Sequence, residues 1–134
     1  MTINSNKETI ATTPEKLYNI LISFIQNNQM PIIPQVSNWT KLEDGCSFTI
    51  MDMINCSMRL TEKTPYSEVM YAIGTDKNMS ANAIFQIKED GDQSELQISV
   101  EADVPLFMQM MVKSPLEQSL NKGVLKIKEL AERI

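Results

Sequence analysis

Between Val36 and Asp103 the chain returns again and again to one pattern, an apolar residue followed by a polar one. The stretch INCSMRLT is the cleanest case: Ile54, Cys56, Met58 and Leu60 alternate with Asn55, Ser57, Arg59 and Thr61. A period of two sends the first set to one face of a strand and the second set to the other. Similar alternation runs through Cys46, Phe48 and Ile50, through Val69, Tyr71 and Ile73, and through Ala81, Ala83, Phe85 and Ile87. It returns in Leu96, Ile98, Val100 and Ala102, set against Gln97, Ser99, Glu101 and Asp103. With Val36 to Leu42 counted, six strands follow one another, punctuated at Asp44-Gly45, near Asp52, at Thr64-Pro65 and at Asp90-Gly91. One dry face and one wet face describe an antiparallel sheet covered on a single side. Short turns make a meander its simplest order.

Helices must cover the dry face. In ATTPEKLYNILISFIQ, Thr12 with Glu15 forms a capping box and Pro14 suits the first turn. Leu17, Ile20, Leu21, Phe24 and Ile25 then share a stripe at helical spacing. This helix is expected to end near Asn27-Asn28, before Pro31 and Pro34, with NNQMPIIPQ a short second helix or an irregular bend. Sparse alternation before it predicts a thin strand over residues 2–10. At the other end, Leu116, Leu120, Val124, Ile127, Leu130 and Ile134 recur at spacings of three or four. A helix from Leu106 to the C-terminus would span ~42 Å. Pro115 interrupts it, and Ser114 with Glu117 makes a second capping box, so a kink or a split is expected there.

The 134 residues fit one domain, 1–134, able to bury roughly two-thirds of its unfolded surface. No linker or repeat divides it. Its apolar runs fall short of the ~20 residues of a spanning helix, and MTINSNKETI lacks the features of a signal peptide. A cytoplasmic location is the resulting expectation. A formal net charge of −5 and scattered basic residues argue against nucleic acid or an anionic membrane as partners. Asn38, Asn55 and Asn78 head chance N-x-S/T matches. The chain has no histidine, which removes Ser-His-Asp, Cys-His and His-ligated metal chemistry. Two cysteines alone cannot complete a usual zinc site; Cys46 and Cys56 read as small buried hydrophobes on neighbouring strands. Gly45, Gly74, Gly91 and Gly123 stand singly, so no phosphate-cradling loop is present. No metal or cofactor is expected.

An N-terminal strand, a helix pair, a six-strand meander and a long C-terminal helix is the order of the helix-grip fold. On TPEKLYNIL, MPIIPQVSNW and PLFMQMMVKSPLEQSLNKGVLKI, the chain resembles the START/birch-pollen-allergen-like superfamily, also called SRPBCC or polyketide cyclase/dehydrase-like. It looks most like small bacterial stand-alone members without an assigned reaction. The resemblance implies an α+β fold of about seven strands in β-α-α-β6-α order. It also implies a cavity between the curved sheet and the terminal helix, gated by the helix pair and the strand loops. PLFMQMMVKSP would then be the part of the helix that roofs the pocket. Unbranched thioethers adapt to irregular space, which suits a wall receiving an apolar guest.

Inward parity and this roof together give the candidate ligand-binding residues Phe48, Met58, Tyr71, Phe85, Ile98, Val100, Phe107, Met110 and Met111. None is a strong catalyst. Tyr71, with Tyr18 on the first helix behind it, is the best polar handle, its ring buried and its hydroxyl near water, but an unperturbed phenol is a poor base at neutral pH. Glu101 and Asp103 fall on the solvent side, as does Arg59, which would bind a carboxylate or phosphate only if it faced inward. Trp39 is expected near the pocket rim. The function read from the sequence is non-catalytic binding of a lipid, isoprenoid or aromatic metabolite by a monomer or weak dimer. A cyclase- or dehydratase-like enzyme using Tyr71 is one alternative. The other is a protein-interaction module, because branches of that superfamily contact chaperones or quinone-dependent complexes.

Overall fold

The structure, a computed structural model, describes residues 1–26, 36–43, 45–50, 52–76 and 79–133. Two short strands, β1 (Thr2–Asn4) and β2 (Glu8–Ile10), precede helix α1 (Pro14–Gln26). Six strands follow: β3 (Val36–Lys41), β4 (Gly45–Ile50), β5 (Ile54–Thr64), β6 (Glu68–Thr75), β7 (Ser80–Asp90) and β8 (Gln93–Asp103). Helix α2 (Leu106–Glu132) closes the chain. Every pairing is antiparallel, and β3 to β8 lie side by side in chain order. The arrangement is the expected α+β helix grip.

The strand expected over residues 2–10 is two segments along the same edge of β8. Ser5 divides them. Its buried hydroxyl oxygen accepts the Ile98 N–H at 2.9 Å, a place in the ladder usually held by a carbonyl. Its own carbonyl accepts from Gln97 Nε2 at 3.1 Å. Eight strands, rather than about seven, result.

The turns follow their chemistry. Gly91, with φ of +62°, takes the first position of the two-residue β7–β8 loop, where a II′ hairpin favours glycine. The β3–β4 hairpin closes through the Leu42 N–H on the Gly45 carbonyl at 2.9 Å. Asp44, and the second helix or bend expected over NNQMPIIPQ, lie outside the described residues.

Helix α1 starts one residue later than the capping box implies. Thr13, not Thr12, is its cap: the Lys16 N–H donates to Thr13 Oγ1 at 3.3 Å, and the Leu17 N–H to the Thr13 carbonyl at 3.0 Å. The Thr12 carbonyl instead accepts the buried Ser94 hydroxyl at 2.7 Å, so a tie to β8 settles which threonine turns into the helix. α2 is likewise not split at Pro115. It runs on through that residue, which lacks the N–H that the Met111 carbonyl would otherwise receive. Ser114 is therefore an interior residue rather than a second cap.

One core joins sheet and helices. Leu17 and Leu21 of α1 pack with Val69, Phe85, Ile87, Leu96 and Ile98 of the sheet and with Leu120, Val124, Ile127 and Ala131 of α2. α2 lies chiefly along β1, β2 and β8, while α1 lies over β6, β7 and β8. Polar ties fix the docking of α2: the Asn6 N–H donates to Asn121 Oδ1 at 2.7 Å, and the Ala11 N–H to Glu132 Oε2 at 3.0 Å.

Candidate ligand-binding face

The inward residues of β4 to β8 form the dry side of the sheet. Cys46 and Phe48 of β4 face Met58 and Cys56 of β5 in register, while Tyr71 of β6 faces Ala83 of β7 and Phe85 of β7 faces Val69 of β6. Phe48, Met58, Tyr71, Phe85, Ile98 and Val100 are all buried in the shared core. The structure thus brings six of the nine expected ligand-binding residues onto one face. Ile50, placed in the same set by parity, has a side chain outside the described part.

Tyr71 is held hard in place. Its ring meets Phe85 edge-on, with centroids 5.8 Å apart and planes at 85°. Its hydroxyl donates to the Leu21 carbonyl at 3.0 Å, so the group expected near water is bonded to backbone instead. Burial first, then the neighbouring Cys46 and Tyr18 groups, pushes its ionisation far above the ordinary phenol value. A phenol so placed stays protonated at neutral pH and already spends its proton on α1. Tyr18 itself meets Tyr66 edge-on at 5.7 Å.

Both cysteines are buried thiols. Burial pushes Cys46 up to about 11, and raises Cys56 with a smaller push from the Asp76 carboxylate. Such thiols are poor nucleophiles. Arg59, Glu101 and Asp103 are exposed on the outer face, as their parity predicts. Trp39 is half-buried and stacks on Phe48 with ring centroids 5.7 Å apart, its planes 14° from parallel.

Phe107, Met110 and Met111 are not brought to the dry face. They stand 80, 90 and 73% exposed, beside Leu106 at 81%. The helical period supplies the reason. Counting back from Leu120 at about 100° per residue, the seam that faces the sheet passes through Leu116, Lys113 and Gln109. Phe107, Met110 and Met111 fall to one side of it. Gln109 turns back on its own chain, donating to the Val104 carbonyl at 3.1 Å. An open hollow of about 370 Å³ lies beside this stretch, lined by Met110, Lys113, Ser114 and Glu117. A second, of about 520 Å³, lies between the α1 start and the β5–β6 turn, lined by Thr13, Glu15, Tyr66 and Ile87 among others.

No protein-family model matches the sequence, and no curated protein matches it either. Solved structures do. A conserved protein from Geobacillus kaustophilus superposes with a TM-score of 0.75 at 12% identity, over 99% of this chain and 96% of that one. A Chromobacterium violaceum protein gives 0.73 at 12% identity, covering 98% and 97% of the two chains. A START superfamily protein from Mycobacterium smegmatis gives 0.67 at 13% identity, over 96% and 97%. The fold is START-like. At these identities the likeness carries the START-like arrangement of sheet and helices and does not extend to the chemistry of the face.

Proposed function

We propose that the chain binds a small apolar or amphipathic molecule, such as a lipid, isoprenoid or aromatic metabolite, between the dry sheet face and the start of α2. The observation that carries this reading is the contrast within α2. Its second half is anchored in the core by Leu120, Val124 and Ile127, while its first two turns hold four large apolar side chains out in solvent. Apolar groups clustered this densely on a soluble chain mark an interaction site. At ~25 cal/mol per Å² removed from water, a ligand hiding a few hundred Å² gains several kcal/mol before the costs of association. Met110 and Met111, unbranched and standing in solvent, have the freedom to fold over such a guest.

The same exposure favours a second reading, a protein partner seated on Leu106, Phe107, Met110 and Met111. Native mass spectrometry of protein purified from cells separates the two. A retained small-molecule mass and a thermal shift with a lipid or aromatic compound support the ligand. A cleanly apo spectrum with no shift across such a panel, together with a co-purifying protein, supports the partner.

A further inference from the structure

Edge strand β3 carries one residue more than its neighbour. The register with β4 runs Ser37 to Thr49 and resumes at Thr40 to Ser47, so three steps along β3 oppose two along β4. Asn38 sits in the extra step with a left-handed φ of 54°, which Asn tolerates better than most residues. Its side-chain amide donates to Thr49 Oγ1 at 3.3 Å and pins the bulge. Bulges re-aim side chains, and this one accompanies an indole that lies flat on Phe48 and packs against the core. The stack orients the ring, yet its one polar atom has nothing to bond. Trp39 Nε1 is fully buried and has no hydrogen-bond partner, the one such side-chain atom among the described residues.

A buried donor left unmade destabilises a fold, and native structures rarely keep one without a use. The contrast with Tyr71, whose buried hydroxyl is satisfied by Leu21, sharpens the point. We propose that the Trp39 indole N–H is the polar anchor of the binding face, donating to a carbonyl or carboxylate oxygen on a ligand whose entry opens the packing beside Phe48. An indole N–H can only donate, so this site selects for an acceptor oxygen and against ammonium or other pure-donor heads. The inference rests on the ligand-binding reading above and supplies the head-group chemistry which that reading lacks.

The chain has one tryptophan, so its ¹H–¹⁵N spectrum carries a single indole resonance. Undecane, 2-undecanone and decanoate, titrated separately, share an apolar body and differ in the oxygen. The expected result is a downfield indole proton shift with the ketone, the carboxylate or both, and none with undecane. The oxygen-bearing ligand that shifts the resonance should bind about threefold to tenfold tighter than undecane. Whichever of the two shifts the proton identifies the head group. Trp39→Phe, which keeps a ring to stack on Phe48, should still bind undecane and lose that preference. If all three compounds bind alike with the indole resonance unmoved, the anchor is refuted while the binding face stands. If none binds, both readings fall. Should Trp39→Phe not fold, the wild-type titration alone decides.

Discussion

The Tyr71 hydroxyl donates to the Leu21 carbonyl at 3.0 Å, joining β6 to α1 across fifty positions of chain. This is the one side-chain hydrogen bond among those described that links the middle of the sheet to α1. Its removal in Tyr71→Phe keeps the ring against Phe85 and leaves the carbonyl its helical partner. The loss should be about 0.5–1.5 kcal/mol of stability, read from urea midpoints at unchanged slope. A loss above about 3 kcal/mol would show that the bond organises more than one contact.

Cys46 makes stability depend on alkaline pH. Burial raises its thiol from 9.0 to about 11, so the folded chain holds that proton more tightly than the unfolded one. Below pH 9 both states are protonated and the contribution is complete. Between pH 9 and 11 the unfolded state binds fewer protons, so unfolding becomes easier as pH rises, by up to about 1.4 kcal/mol per unit. Denaturant melts from pH 8 to 11 should show this decline. Cys46→Ala should flatten it, leaving the remainder due to Cys56 and Tyr71, which are shifted in the same direction.

Gly45 pairs with Arg59 so closely that a Cβ there would sit 1.9 Å from the Met58 carbonyl oxygen. Backbone cannot step aside as a side chain can. Gly45→Ala should cost about 1–3 kcal/mol by forcing β4 and β5 apart. Gly91→Ala meets nothing within 4 Å, and its cost, about 1–2 kcal/mol, comes from the left-handed φ alone. A Gly45→Ala loss below about 0.5 kcal/mol, measured by thermal melts, would contradict the close approach at Gly45.

Replacing Phe107, Met110 and Met111 together by Gln should leave stability within about 0.5 kcal/mol per site, because these side chains face water. The same variant should lose the retained small molecule in native mass spectra. Intact stability with an undiminished adduct would move the binding site away from α2.

Alternation was enough to specify the meander and its dry face. Cys46, Met58, Tyr71, Phe85 and Ile98 are inward because a strand has a period of two, a local property that survives whatever packs above it. The stripe from Leu120 to Ile127 is inward for the same kind of reason. Read back by two to three further turns, that stripe would also have warned that Met110 and Met111 leave the seam. Other features needed the third dimension. Thr12 has the capping box with Glu15, yet Ser94, eighty-two positions away, holds its carbonyl and Thr13 caps the helix instead. Ser5 breaks an edge strand because its hydroxyl reaches the Ile98 N–H, and the orphaned indole of Trp39 exists only where β3 bulges against β4. Periodicity says which residues share a face. What lies opposite that face, and which polar atoms find a partner there, depends on distant segments meeting, and no local pattern encodes the meeting.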